Sequence, residues 1–143
     1  MLVKQISVFL ENKSGRLAEV TKTLRNNKID IRAFYVADTT EYGILRMIVD
    51  KPDVALDLLR HSGFTVSTTN VIAISIADTP GTLDNALEVL STAGISIEYL
   101  YAFVGRIASA AIVVIRVENP EDAVKILEKE NIRVIGSKEV YGL

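Results

Sequence analysis

Apolar and polar positions in this chain switch between two periods, and the whole pattern runs twice. From Leu2 to Leu10 an apolar run is interrupted by Lys4, Gln5 and Ser7, which reads as a strand. Leu17, Val20 and Leu24 then recur at helical spacing, and polar residues 25–28 end that helix. Ile29 to Ala37 is rich in β-formers and predicts a second strand. Asp38-Thr39-Thr40-Glu41 predicts a turn, and Tyr42 to Val49 a third strand. Pro52 suits the first position of a helix whose apolar face is Ala55, Leu58 and Leu59. Gly63 stops that helix and Phe64 begins a fourth strand.

The second half repeats the order. Val71–Ala77 predicts a strand, Leu83, Ala86, Leu87 and Leu90 a helix, and Gly94 its end. Ile95–Val104 predicts a strand, Gly105-Arg106 a turn, and Ala108–Val117 a strand. Asn119 is expected to cap a helix that opens at Pro120, with Glu121 and Asp122 complementing its dipole. Ile132–Val140 predicts the last strand. Little linker separates Gly63 from Ala77, so one long stretch is expected to end the first unit and begin the second.

β-α-β-β-α-β is the split-βαβ order. Right-handed crossovers place its strands 4-1-3-2 with both helices on one face. The predicted fold is therefore α+β: two ferredoxin-like βαββαβ units over residues 1–69 and 70–143, each an antiparallel sheet with helices on one face. The residues themselves repeat. Glu11-Asn12-Lys13-Ser14-Gly15-Arg16-Leu17 is matched by Ala77-Asp78-Thr79-Pro80-Gly81-Thr82-Leu83, an offset of 81 − 15 = 66. Pro52-Asp53-Val54-Ala55 is matched by Pro120-Glu121-Asp122-Ala123, an offset of 120 − 52 = 68. A duplication with a two-residue insertion accounts for both.

Composition changes this picture little. Hydrophobic residues make up 49% of the 143, enough for two cores. A net charge of −2 gives no electrostatic reason to expect nucleic acid or an anionic membrane as partner. The absence of cysteine excludes disulfides, thiolate metal sites and thiol catalysis. The N-terminus lacks a signal-peptide h-region, and Arg106 and Arg116 bracket the longest apolar run. A cytoplasmic location is expected, with no metal and no cofactor.

The sharpest local signal is the duplicated strand-to-helix loop. A helix N-terminus presents unpaired N–H groups and positive dipole, and glycine lets a small carboxylate approach the backbone. Asn12 and Asp78 stand just before, able to meet an amino group. The plainer alternative is that Asn12 or Ser14, and Asp78 or Thr79, cap their own helices.

Asn12-x-x-Gly15-x-Leu17 and Asp78-x-Pro80-Gly81-x-Leu83, followed by Ile29-Asp30-Ile31 and Ile95-Ser96-Ile97, resemble the ACT domain, a small-molecule regulatory module. The resemblance spans both halves. It implies that an amino acid binds at a seam between two domains placed side by side, where the loop of one faces the start of the second strand of the other. On these positions it implies Asn12, Ser14, Gly15 and Leu17 with Ser96 and Ile97. Across the other seam it implies Asp78, Thr79, Gly81 and Leu83 with Asp30 and Ile31. Ser14 departs from the pattern, where the second copy has Pro80, so the two sites are chemically unequal.

Other residues add less. His61, the single histidine, falls near the end of a helix, where a cation suits the dipole, and cannot alone build a metal site. Tyr99, Tyr101 and Phe103 alternate along one strand. They could form a base-stacking platform, but no basic patch accompanies them, and packing is the plainer reading. Arg16 invites comparison with acylphosphatases, which share the topology, but their phosphate-cradle loop is absent. Ala110–Ile115 is apolar on both strand faces, which predicts burial on both sides and a homodimer to cover the face that helices leave open. The resulting reading is a non-catalytic amino-acid sensor of two ACT units. The alternative is the regulatory subunit of an amino-acid-metabolism enzyme.

Overall fold

The computed structural model describes residues 2–38, 41–104 and 108–143. The elements are β1 (Val3–Glu11), α1 (Arg16–Asn26), β2 (Ile31–Asp38), β3 (Tyr42–Val49), α2 (Pro52–His61) and β4 (Thr65–Ala77). They continue with α3 (Thr82–Thr92), β5 (Ile97–Ala102), β6 (Ala110–Val117), α4 (Pro120–Lys129), β7 (Arg133–Ile135) and α5 (Ser137–Tyr141). The expected long stretch exists as the single 13-residue strand β4. Part of the predicted 38–41 turn and the Gly105-Arg106 turn lie outside the described residues.

The chain forms two compact units. One comprises Lys4–Thr69 with Tyr141–Leu143, and the other Asn70–Val140 with residues 1–3. The first has strand order β2-β3-β1-β4 and the second β5-β6-β4-β7. Both are the 4-1-3-2 order that right-handed crossovers require.

Each core follows from strand parity. In the first unit Ile6, Val8 and Leu10 share a face with Leu45, Met47 and Val49, and meet Val20, Leu24, Ala55 and Leu59 from the helices. In the second, Ile72 and Ile74 share a face with Val113, Ile115 and Val117, and meet Ala86, Leu90, Ala123 and Leu127. These are the same positions, displaced by 66 before the insertion and 68 after it.

The four long helices also stop in the same way. The N–H groups of Ile29, Phe64, Ile95 and Ile132 donate to the carbonyls of Leu24, Leu59, Leu90 and Leu127, at 3.0, 3.0, 3.0 and 2.9 Å. The residue before each has positive φ: Lys28, Gly63, Gly94 and Asn131. These are Schellman endings, in which an αL residue turns the chain and an apolar residue packs back onto the last helical turn. Glycine serves twice, and Lys28 and Asn131 accept the same conformation.

Two expectations need correction. The last strand does not reach Val140. It ends at Ile135, and after Gly136 the chain turns into α5, whose Val140 N–H donates to Gly136 O at 3.1 Å. Burial of Val140 stabilises this turn more than continued pairing of the polar Ser137, Lys138 and Glu139 would. Asn119 occupies the N-cap of α4 without a side-chain cap hydrogen bond. Within Ala110–Ile115, Ile112 and Val113 are 5% exposed and Val114 and Ile115 0%, as the composition implied, while Ala110 and Ala111 are half-buried. Tyr101 is buried and Tyr99 stacks near it, centroids 6.4 Å apart, which fits packing rather than a nucleic-acid platform.

Candidate functional site

The two strand-to-helix loops adopt one backbone. Gly15 has φ 88° and ψ −9°, and Gly81 has φ 94° and ψ −16°. Lys13 N–H donates to Glu11 O at 2.7 Å, and Thr79 N–H to Ala77 O at 2.9 Å. Arg16 N–H reaches Lys13 O, and Thr82 N–H reaches Thr79 O, both at 3.4 Å. Glu19 N–H donates to Gly15 O at 2.9 Å, and Asn85 N–H to Gly81 O at 3.0 Å. Side chains rarely adopt these φ values, so the turn itself calls for glycine at both places.

Capping by Asn12, Ser14, Asp78 or Thr79 is not what the loops do. A glycine stands at each N-cap, and no side chain caps either helix. A Cβ added at Gly15 or Gly81 would meet nothing within 4 Å, so each glycine answers to the backbone angle and not to a lack of room at Cβ. The N–H groups that follow Arg16 and Thr82 lack intrahelical acceptors until Glu19 and Asn85. A small anion placed at such a terminus is stabilised by the helix dipole.

The remaining predicted residues divide by end. Asn12, Ser14, Asp78 and Thr79 are exposed in the loops, as are Leu17 and Leu83 in the first turns of the helices. Asp30, Ile31, Ser96 and Ile97 lie at the other end of their units. Glu11 pairs with Tyr42, whereas Ile31 pairs with Val49, seven residues further along β3. At about 3.3 Å per residue the two ends are roughly 23 Å apart. Ala77 opposite Ala110 and Ile97 opposite Val117 repeat the separation. No ligand of amino-acid size can touch both sets within one unit.

The second-strand ends differ between units. Asp30 N–H donates to Asp50 Oδ1 at 2.9 Å, and its Oδ2 accepts from Arg32 Nη1 at 2.6 Å. Lys51 Nζ donates to Lys28 O at 3.1 Å across the same end. Arg32 Nη2 also holds the Tyr141 carbonyl at 3.1 Å, and Lys4 N–H donates to the Tyr141 hydroxyl at 2.9 Å. Burial pushes the Tyr141 phenol above its ordinary pKa. Ser96, by contrast, borders an open groove of about 360 Å³ with Glu98, Glu118, Asn119 and Asp122.

Sequence reading missed a groove beside the Gly81 loop. It has a volume of about 480 Å³ and is lined by Ser75, Ile76, Ala77, Pro80, Gly81, Thr82, Asn85, Asn131, Ile132 and Arg133. In the first unit the counterparts of Thr82, Asn85 and Ile132 are Arg16, Glu19 and Phe64. There the Arg16 guanidinium lies over the Phe64 ring at 4.4 Å and binds Glu19 Oε2 at 2.9 Å. Writing the two copies one above the other at offsets 66 and 68 would have shown the contrast. Beside that loop, Lys13 Nζ stands 2.9 Å from Glu11 Oε2, and hydrogen bonding by this ammonium holds the Glu11 carboxyl below its ordinary pKa. Among the described residues no group of acidic or histidine side chains could hold a metal ion. His61 is exposed in the last turn of α2, with Nδ1 2.7 Å from Asp57 O.

A family model described as an ACT domain pair matches residues 1–143. The chain belongs to the ACT domain pair family. This ACT pair is 40% identical to protein BT0572 from Bacteroides thetaiotaomicron, with a TM-score of 0.93, covering 100% of this chain and 98% of that one. The fold is shared at 18% identity with the regulatory subunit of aspartate kinase from Thermus thermophilus in its ligand-free form, with a TM-score of 0.66 over 90% and 93% of the chains. The corresponding subunit from Thermus flavus gives 17% identity and a TM-score of 0.59 over 88% and 90%. No curated protein sequence matches the chain. ACT domains are regulatory, non-catalytic modules. No helix among the described residues is long and apolar enough to cross a membrane.

Proposed function

We propose that this ACT pair is a cytoplasmic amino-acid sensor without catalytic activity of its own. A free amino acid is held where the glycine loop of one ACT domain meets the second-strand start of a neighbouring ACT domain. Asn12, Ser14, Gly15 and Leu17 form one such loop face, and Asp78, Thr79, Gly81 and Leu83 the other. Asp30, Ile31, Ser96 and Ile97 supply the strand-start faces. The observation that carries the reading is the pair of glycine-led helix N-termini without a side-chain cap hydrogen bond. The α-carboxylate suits the loop amides, and a carboxylate or amide at Asp78 or Asn12 suits the ammonium group.

The test is a thermal-shift screen against the twenty amino acids. A ligand at about 100 times its dissociation constant adds roughly 2.7 kcal/mol of stability. A flat response to all twenty would remove the reading. A second reading, in which the pair serves an amino-acid biosynthetic enzyme as its regulatory subunit, takes its motive from the similarity to the aspartate kinase regulatory subunit. Co-purification with a catalytic chain tests it.

A further inference from the structure

We infer that Arg16 closes the first copy of the site and leaves the Gly81 loop as the one that takes ligand, a small amino acid with an uncharged polar side chain. This rests on the amino-acid-binding reading above and names which loop acts and what it prefers. The groove beside Gly81 has three walls whose counterparts in the first unit touch one another. Thr82 and Asn85 stand one helical turn apart on α3, with Ile132 opposite. At the matching positions Arg16 reaches over Phe64 at 4.4 Å and binds Glu19 at 2.9 Å.

The plug is well anchored. Phe64 is buried in the core of its unit, so its ring is a fixed platform. The Arg16 side chain is only 25% exposed, and its Nε is buried without a hydrogen-bond partner. Stacking and the ion pair hold a long side chain in a conformation that leaves one donor unsatisfied. Thr82 cannot do this. Its hydroxyl instead donates toward Ala77 O at 2.5 Å and Thr79 O at 3.0 Å, back into its own turn, which keeps the groove clear.

The chemistry of the open groove sets the preference. Ser75, Thr82, Asn85 and Asn131 offer neutral donors and acceptors, and Arg133 is already bound to Glu139 Oε1 at 2.5 Å. An uncharged hydroxyl or amide side chain finds partners there. A charged one finds no dedicated counter-ion among these neutral groups.

Calorimetric titration of the intact chain with L-serine and L-asparagine, and with L-lysine and L-glutamate as mismatched probes, tests this. The expected result is one L-serine or L-asparagine per chain, and weaker binding of both mismatched probes. Thr82→Arg should weaken that binding at least tenfold, and Arg16→Thr should raise the stoichiometry to two. Should Thr82→Arg fail to fold by circular dichroism, Asn85→Glu, which copies Glu19 on the helix surface, takes its place. Two molecules per wild-type chain, or binding unchanged by both groove variants, would overturn the plug. Preference for L-lysine or L-glutamate would overturn the ligand class alone. Silence from all twenty amino acids would instead strike the sensor reading itself.

Discussion

The Gly15 and Gly81 loops have one backbone and two chemistries. Matching hydrogen bonds agree to within 0.2 Å, yet one loop carries Glu11, Lys13, Arg16 and Glu19 where the other carries Ala77, Thr79, Thr82 and Asn85. The first set closes on itself through Lys13–Glu11 and Arg16–Glu19 ion pairs. The second leaves a groove of about 480 Å³. Duplication fixed the fold of both copies because the core and helix endings depend on apolar positions and a few αL residues. The loop side chains contribute little to that fold, so they could diverge. The same contrast appears at the opposite ends, where Asp30, Arg32 and Lys51 are engaged and Ser96 borders open space.

If the cores are equivalent, matched truncations should cost the same. Leu24 and Leu90 are 1% and 0% exposed, each on the first helix of its unit. Leu24→Ala and Leu90→Ala should each destabilise by about 2–5 kcal/mol through lost burial and the cavity left behind. Urea denaturation of the two variants measures this. A difference well beyond the spread normal for such sites would mean that one unit leans on the other for its stability, and the comparison of independent copies would fail.

Matched glycine substitutions separate fold from function. Gly15→Val and Gly81→Val each force a branched residue into left-handed backbone, at a cost of roughly 1–2 kcal/mol. Their effects on stability should therefore agree. Their effects on binding should not: Gly81→Val should abolish binding of the amino acid found in the thermal-shift screen, and Gly15→Val should leave its affinity within about twofold, an energy difference of roughly 0.4 kcal/mol. Equal loss of binding in both would show that the two loops serve ligand together.

The fold was legible because its signals are local and doubled. Tyr42–Val49 was placed to the residue, since a turn precedes it and Asp50-Lys51-Pro52 follows. The stretch 64–77 was readable as one shared strand because no Gly or Pro interrupts it, although Ser67-Thr68-Thr69-Asn70 makes its middle polar. The final segment was misread because Val134, Ile135 and Val140 look strand-like, while Gly136 and burial of Val140 decide the matter. The loops were found from Gly15 and Gly81, but the groove was not. Its walls Asn131, Ile132 and Arg133 lie about 50 residues downstream of Gly81, and only strand pairing of Ser75 with Arg133 brings them there.

The smallest effect expected is a pH response confined to the first loop. Lys13 bonds the Glu11 carboxylate and lowers its pKa below the ordinary 4.5, while Ala77 and Thr79 supply no such pair. A carboxyl whose folded pKa is depressed contributes stability that is present above the unfolded value and is lost as pH falls through the folded one. Acidification from pH 6 to pH 3 should therefore weaken the Gly15 loop and leave the Gly81 loop unchanged on this account. Both groups are exposed, so salt should reduce the effect. Carbon-detected NMR titration of Glu11 in the wild type and in Lys13→Ala measures it: the midpoint should rise toward 4.5 in the variant. A midpoint that stays where it was would mean that Arg16, not Lys13, governs the charge at this loop, and the plug would then reach further along it than Glu19.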